Sequence, residues 1–296
     1  MIALSVDDTE VAVLHFGETL PTTLSPRPYL HPLRTLSGSP VTGFSPRDHP
    51  HHLGLSVGIP LVDDTNFWGG PTYLPQEGYV WRDDHGRQRV DRCGSAPDRV
   101  SLGLSWLDKA GAVLLDEERD IEVLPGRARG DAWRLRHRSV LRNPGREAVT
   151  LSGPGARGRA GAGYGGVFWR GPAEATVAEA QSPTARGENA LNGRHAPFLV
   201  VRSGVADGGG TWTLGLRDLA ATPEPWFLRL EEYVGAGPAL VGSRPRVLAP
   251  GEELPCGLAI VVADGALSLA QVQDELLELG GPDPYRAPGG APQGGA

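Results

Sequence analysis

Segments in which apolar and polar residues alternate recur along the chain and restrict its fold more than any other feature. They occupy residues 10–16, 100–106, 132–141 and 211–216. A period of two buries one face of a β-strand and leaves the other face in water. Turn signals stand between such segments at residues 143–146 and 207–210, and residues 108–111 have the composition of a hairpin loop. The sequence therefore predicts an all-β protein, a large antiparallel β-sandwich with meander or Greek-key connections.

One helix is predicted near the C-terminal end. Ser268 and Gln271 have the spacing of a capping box, in which the serine accepts a backbone N–H and the glutamine reaches back to another. Apolar residues follow on one helical face, at Leu269, Val272, Leu276 and Leu279. The glycines at positions 280 and 281 are expected to end the helix, because glycine tolerates the left-handed conformation found there.

The domain organisation is predicted to be simple. No internal repeat or change of composition marks a second unit, so residues 1–281 are expected to form a single β-sandwich domain. Residues 282–296 are rich in Pro, Gly and Ala and have almost no apolar side chains to bury. Such a segment cannot offset its ordering entropy, and we expect a flexible tail.

Charge and composition exclude several classes of partner. The net charge is −7, and Lys109 is the only lysine, so the basic side chains are almost all arginine. An acidic balance argues against nucleic acid. No run of roughly 20 apolar residues is present to cross a membrane, and the first residues lack the regions of a signal peptide. We expect a cytoplasmic protein in which Cys93 and Cys256 are free thiols; the oligomeric state stays open.

Histidines mark the region with the most unusual composition. Four of the eight lie between positions 31 and 52, namely His31, His49, His51 and His52. They are accompanied by arginine, aspartate and aromatic residues on a segment interrupted by Pro and Gly. Imidazole is suited to proton transfer near neutral pH and to binding transition metals, so the region is a candidate site.

The local backbone determines which of these rings can meet. Prolines at positions 46 and 50 favour extended conformation. In extended backbone His49 and His51 would share one face, and His52 would point to the other. We expect the first two to converge on a ligand, joined by His31 if its segment lies nearby. For His52, packing in the core is an equally good interpretation.

The motifs around these histidines resemble a known family. They are RPYLHPL, DHPHHLGL and NFWGG between residues 27 and 70, then YGGVFWRGP at 164–172 and EPWFLRLEEY at 224–233. Over about residues 2–265 the sequence resembles bacterial proteins labelled methane-oxygenase or "PmoA-like". That family is distantly similar to galactose-mutarotase-like β-supersandwiches, which include aldose epimerases, polysaccharide lyases and glycoside hydrolase domains. The resemblance implies a galactose-mutarotase-like supersandwich and a carbohydrate ligand.

Acid/base isomerisation of a sugar is the first hypothesis. One group gives a proton to the ring oxygen while another takes one from the anomeric hydroxyl, so the ring opens and can close on its other face. We assign proton transfer to His31, His49 and His51, with Glu118 as carboxylate partner. Arg119 is expected to hold Glu118 ionised and oriented. This mutarotase- or epimerase-like chemistry needs no cofactor.

Metal-dependent chemistry is a second hypothesis. Imidazole and carboxylate groups bind divalent transition metals. His49, His51 and His31 are the candidate ligands, with Asp48 as a direct or outer ligand. A lyase, isomerase or oxygenase would use such a site.

A third hypothesis is a non-catalytic sugar-binding or sensing protein, in which the histidines are dispensable. Flat apolar faces for a pyranose are offered by Trp68, Tyr73, Tyr164 and Trp169. Directed donors are offered by Arg27, Arg34, Asn66 and Arg170. The arginines would suit a hexuronate or another acidic sugar.

Overall fold

The computed structural model describes residues 1–127, 130–173, 175–205, 210–277 and 279. The strands in chain order are β1 (Ile2–Val6), β2 (Thr9–His15), β3 (Tyr29–Leu33), β4 (Leu55–Gly58), β5 (Leu61–Val62), β6 (Thr72–Leu74), β7 (Gly78–Val80), β8 (Arg87–Ala96), β9 (Arg99–Leu107), β10 (Val113–Pro125), β11 (Ala132–Arg142), β12 (Val149–Ser152), β13 (Gly166–Arg170), β14 (Ala175–Gln181), β15 (Leu199–Val205), β16 (Trp212–Asp218), β17 (Trp226–Arg229), β18 (Gly235–Pro238), β19 (Arg246–Leu248) and β20 (Glu253–Asp264). The α-helices within these residues are α1 (Glu188–Leu191) and α2 (Leu269–Leu276).

Two large antiparallel sheets contain most of the strands. Sheet I has the order β1-β2-β3-β4-β13-β18-β17, and sheet II has the order β14-β15-β16-β20-β11-β10-β9-β8. Strands β19-β12-β5 form a small third sheet, and β6 pairs with β7 in a hairpin. The all-β, antiparallel prediction is therefore confirmed.

The predicted strands fall where the alternation placed them. Residues 10–16 correspond to β2, 100–106 to β9, 132–141 to β11 and 211–216 to β16. The hairpin loop at 108–111 joins β9 to β10, and the Gly111 N–H donates to the Asp108 carbonyl over 3.1 Å. Most of the turn predicted at 207–210 lies outside the described residues.

The core lies between the inner faces of the two sheets. Trp169 of β13 and Trp212 of β16 are fully buried, and their ring centroids are 6.1 Å apart across the sandwich. The indole N–H of Trp169 donates to the Val41 carbonyl over 2.8 Å. Trp169 was predicted to contact a sugar, but alternation along β13 turns its ring inward and leaves it no surface for a ligand.

Helix α2 covers part of the other face of sheet II. Its capping box is present: Ser268 Oγ accepts the Gln271 N–H, and Gln271 Oε1 accepts the Ser268 N–H. Val272 packs on Gly215 of β16, where a Cβ would lie 2.3 Å from the Val272 Cγ1, so this approach requires glycine. The glycines at 280 and 281 and the tail at 282–296 lie outside the described residues. No helix among the described residues is long and apolar enough to cross a membrane.

The outer face of sheet I carries a second, smaller group of aromatic side chains. Phe168 and Arg170 flank Trp169 in β13, and they point outward where Trp169 points inward. Phe227 of β17 also points outward. Loops from residues 44–53 and 66–70 place further rings against them. This face holds the candidate site.

Candidate functional site

The histidine loop at residues 44–53 is built from turns. A bridge between Phe44 and Leu53 closes its base. The His49 N–H donates to the Pro46 carbonyl over 3.0 Å, and the His52 N–H donates to the His49 carbonyl over 3.0 Å. The expected extended backbone is therefore absent, because both prolines stand in tight turns.

These turns bring three imidazoles together. The ring centroids of His49 and His52 are 4.7 Å apart, those of His51 and His52 are 4.7 Å apart, and those of His49 and His51 are 5.8 Å apart. With Trp68, Phe168 and Tyr233 they form a set of touching rings that we call the histidine–aromatic cluster. All three neighbouring histidines, rather than two of them, thus belong to one site.

His52 is the buried centre of this cluster. Its ring meets Trp68, Phe168 and Tyr233 edge-on, at centroid distances of 6.0, 5.3 and 5.0 Å. Its Nδ1 has no hydrogen-bond partner among the described residues. Burial and then the neighbouring His51 and His49 lower its pKa well below the ordinary value. His52 is therefore neutral. It is buried, as one interpretation of the sequence predicted, and the side chains around it are aromatic.

His51 is wedged against two glycines. A Cβ on Gly70 would lie 2.6 Å from His51 Nδ1, and a Cβ on Gly69 would lie 2.9 Å from the His51 Cβ. Burial, followed by the charge of Arg27, lowers the pKa of His51 to about 3. At neutral pH this imidazole carries no charge, so it can donate one hydrogen bond and accept another but cannot serve as a protonated acid.

His49 is the solvent-facing histidine of the three. Its Nδ1 is 2.8 Å from Asp48 Oδ2, and the two side chains are 33 % and 53 % exposed. The pKa of Asp48 lies below its ordinary value: partial burial raises it, but the hydrogen bond with His49 and the nearby Arg170 outweigh that effect. An ionised carboxylate therefore orients His49 and leaves its Nε2 directed away from Asp48.

Tyr233 and Arg170 complete this side of the cluster. The Tyr233 ring centroid is 4.9 Å from that of His49, and the Arg170 guanidinium carbon lies 4.6 Å from the Tyr233 ring centre. Burial raises the pKa of Tyr233, so the phenol stays protonated at neutral pH. Its hydroxyl makes no hydrogen bond within the described part of the chain.

Arg27 lies beneath the cluster and holds its loops together. It is 2 % exposed, and its donors meet the carbonyls of Leu24, Ser25, His51 and Trp68 and the hydroxyl of Ser56 at 2.8–3.2 Å. Burial and then the charge of Arg119 lower its pKa to about 9, so it remains charged at neutral pH. Every nitrogen of this guanidinium is engaged by the protein, which places Arg27 behind the site as its support.

Asn66 has a similar supporting position. Its side-chain oxygen accepts the N–H groups of Trp68 and Gly69 at 2.8 Å, and its nitrogen donates to Gly70 O and Thr72 Oγ1 at 3.2 and 3.0 Å. These bonds shape the glycine loop against which His51 packs.

A narrow cleft opens on the other side of Trp68. Trp68, Tyr73 and Tyr164 line it together with Arg157. The Trp68 and Tyr164 ring centroids are 4.7 Å apart. The cleft admits little more than a water molecule, so a sugar ring would lie at its mouth.

Two predicted residues on the edge side of sheet I lie apart from the cluster. His31 bonds Thr42 Oγ1 over 3.0 Å and stacks on Phe44, with centroids 5.5 Å apart. Burial, then His15 and Arg34, lowers the pKa of His31 to about 4. Arg34 donates to the Gly38 carbonyl on the surface. No ring contact joins His31 to the other three histidines among the described residues.

Glu118 lies on the opposite side of the molecule. Alternation along β10 turns it to the outer face of sheet II, where it is 64 % exposed and pairs with Arg92. Arg119 was expected to hold Glu118, but it points into the core and binds Glu117 through two nitrogens at 2.7 and 2.9 Å. The predicted partnership of Glu118 with His49 is therefore absent from the structure.

Sequence analysis missed three residues that the fold brings to the site. Phe168 stands in the motif at 164–172 and Tyr233 in the motif at 224–233, and these motifs were the signal available for them. His85 gave no signal, because it lies in a separate loop that pairs with Asn66. Its Nε2 is 2.8 Å from the Gly70 carbonyl, on the far side of the glycine that supports His51.

The donor set does not match a metal centre. Within the described ranges, no group of three or more His, Cys, Asp or Glu side chains is arranged to hold a metal ion. Although His49, His51 and His52 adjoin, their rings meet face to face and edge to face. The metal-ligand roles suggested for His31, His49 and His51 remain without geometric support.

Comparisons with known proteins give one family and several distant structures. No curated protein matches the chain. Among solved structures, a polysaccharide lyase (BACCELL_00875) is 15 % identical with a TM-score of 0.32, covering 70 % of this chain and 26 % of its own. A GH36 α-galactosidase, AgaA from Geobacillus stearothermophilus, is 11 % identical with a TM-score of 0.30, covering 65 % and 32 %. HI1317 is 11 % identical with a TM-score of 0.29, covering 82 % and 90 %.

The chain thus spans about a third or less of the lyase and the galactosidase, and likenesses at these TM-scores carry no functional conclusion. The sequence itself is more specific. The model of DUF6807, a family of unknown function, matches residues 1–276, and the chain therefore belongs to that family.

Proposed function

We propose that this protein binds a sugar or sugar derivative at the histidine–aromatic cluster and isomerises it by proton transfer, as a mutarotase or epimerase does. One observation carries the proposal: the Asp48–His49 pair, Tyr233 and Arg170 meet on the outer face of sheet I. Trp68 was predicted to stack on the sugar, but it and Phe168 are only 5 % and 4 % exposed. The half-buried rings of His49 and Tyr233 would therefore contact the sugar, and the polar groups there would supply acid and base.

His49 would act as the base. When its Nδ1–H donates to Asp48, the Nε2 carries a lone pair that can accept the proton of an anomeric hydroxyl. The carboxylate of Asp48 would stabilise the imidazolium that forms. His31 and Glu118 have no part in this step, because both lie away from the cluster.

Tyr233 would act as the acid. As the anomeric O–H electrons form the carbonyl, the bond from C1 to the ring oxygen breaks, and that oxygen takes the proton of the Tyr233 hydroxyl. Arg170, beside the phenol ring, would stabilise the phenolate. After rotation about the C1–C2 bond the two transfers run in reverse. Both residues then recover their starting states, and no cofactor is consumed.

Non-catalytic sugar binding is the alternative, and one observation favours it. Two of the three imidazoles, His51 and His52, have pKa values far below neutral because they are buried. They cannot exchange protons at neutral pH, as expected of rings that only shape a binding surface. Under this alternative His49 would be dispensable.

Anomer exchange measured by NMR across a panel of neutral and acidic sugars tests the proposal. His49→Gln and Tyr233→Phe should each lower the exchange rate at least about 100-fold. His195→Gln, at an exposed histidine away from the cluster, should leave it unchanged. Exchange that survives His49→Gln would exclude the assigned base. Binding without exchange in the native protein would support the non-catalytic alternative.

A further inference from the structure

An aromatic hairpin borders the candidate site and is open to solvent. Tyr73 and Tyr79 face each other across β6 and β7, with ring centroids 5.5 Å apart, and Trp81 follows directly. Trp81 is 63 % exposed and Tyr79 is 42 % exposed. Two large rings on one short hairpin therefore present apolar area to solvent that a ligand could bury favourably.

The hairpin is joined to the histidine–aromatic cluster at its Tyr79 end. The hydroxyls of Tyr79 and Tyr164 are 2.8 Å apart, and Tyr164 packs on Trp68. Arg159 donates to the Tyr79 hydroxyl over 3.0 Å and lies 5.0 Å from its ring centre. A continuous row of rings thus leads from the cluster to the surface.

A second connection runs from Trp81. Its ring centroid is 6.4 Å from that of His85, whose Nε2 is 2.8 Å from the Gly70 carbonyl. Gly70 in turn lies against His51. A single residue, His85, therefore separates the exposed ring of Trp81 from Gly70, which packs against His51.

The surroundings of these rings are polar. Gln76, Glu77, Arg82 and Asp83 lie in the same segment, and all four are exposed. Protein-binding surfaces are depleted in charged residues at their centre. Isolated flat rings among hydrogen-bonding side chains suit a sugar, which has apolar C–H faces and a rim of hydroxyls.

We infer that the aromatic hairpin is an outer subsite for a further sugar ring, so that the ligand is an oligosaccharide or the end of a polysaccharide. This inference rests on the proposed function, because it extends a sugar site at the cluster. Trp81 provides the stacking face and Tyr79 the link to the inner rings.

Calorimetric binding of a length series tests the subsite. The probes are glucose, galactose and galacturonic acid, each together with a disaccharide and a trisaccharide built from the same unit. For at least one series, affinity should rise about tenfold from the monosaccharide to the longer sugars. Trp81→Ala should remove that gain and leave monosaccharide affinity unchanged. Val247→Ala, at a residue 58 % exposed on β19, is the matched control and should alter neither.

Every other outcome of this experiment overturns the proposed subsite. Equal affinity for monomer and oligomer, or a gain that survives Trp81→Ala, overturns the subsite and leaves the inner sugar site standing. Binding of no probe overturns both proposals. If light scattering shows that the native protein is a dimer and Trp81→Ala a monomer, a second copy of the chain covers the ring, and the subsite is overturned.

Discussion

Replacing Gly70 by alanine tests whether the glycine loop sets the position of His51. Gly70 has φ +70°, and an added Cβ would lie 2.6 Å from His51 Nδ1 and 2.7 Å from Cε1. The left-handed backbone costs a non-glycine residue about 1–2 kcal/mol, of which about 0.4–1 kcal/mol is offset by the stiffer unfolded chain. The clash adds about 1–3 kcal/mol, as overpacking does elsewhere. We expect Gly70→Ala to lower the free energy of unfolding by about 1–4 kcal/mol, with a central value of about 3 kcal/mol.

Gly265→Ala is the matched control. Gly265 has φ +71°, and a Cβ there would meet nothing within 4 Å. This variant has the same backbone strain without the clash, so its loss should be smaller by about 1–3 kcal/mol. Urea denaturation at pH 7 measures both losses, and NMR of the imidazole nitrogens reports the His51 environment. Equal losses of unfolding free energy in the two variants, or an unchanged His51 signal in Gly70→Ala, would refute the claim that Gly70 packs against His51 and sets its position.

Three further predictions concern the charged groups. Arg119→Met should cost about 3–5 kcal/mol in urea denaturation because it leaves the Glu117 carboxylate buried without its partner, and adding Glu117→Gln should recover much of the loss. Burial holds the pKa values of His51 and His137 at about 3, against 6.5 for an ordinary histidine. Below pH 6.5 the unfolded chain therefore binds more protons than the folded chain. The contribution to stability is complete above pH 6.5, and it should fall toward pH 3 by up to about 1.4 kcal/mol per pH unit for each histidine. In His137→Gln, the free energy of unfolding should fall less steeply between pH 7 and pH 5. Glu118→Gln should change stability by less than about 0.5 kcal/mol and leave anomer exchange intact; a large loss of exchange would move the active site to sheet II.

The fold was predictable because its strands bury one face. Alternation at residues 100–106 and 132–141 identified β9 and β11, and the Ser268 capping box identified the start of α2. Strand order was beyond such patterns, because β4 and β13 pair across more than a hundred residues. The family resemblance is confirmed only as membership in a family of unknown function, and the match carries no methane-oxygenase label.

The site was predictable where chemistry was concentrated in one short segment. His49 and His51 were identified, but the backbone between the prolines forms turns, which no alternation rule could show. Trp169 and Glu118 were misplaced for a shared reason. In a strand the neighbouring residue faces the other way, so Phe168 replaces Trp169 in the cluster, and Glu117 replaces Glu118 as the carboxylate that Arg119 binds. Tyr233 joins the cluster, and His85 reaches the Gly70 carbonyl beside it, only through long-range packing.

The buried charge of Arg27 connects the support of the site to its electrostatics. A guanidinium without a carboxylate partner is costly to bury, and here it is compensated by four backbone carbonyls from three segments. One of those carbonyls belongs to His51, and after burial the Arg27 charge is the largest influence lowering that histidine's pKa. The same side chain thus fixes the loop and keeps His51 neutral. Of the three clustered histidines, His49 faces solvent and has its own carboxylate, and the proposed proton transfer is therefore assigned to it.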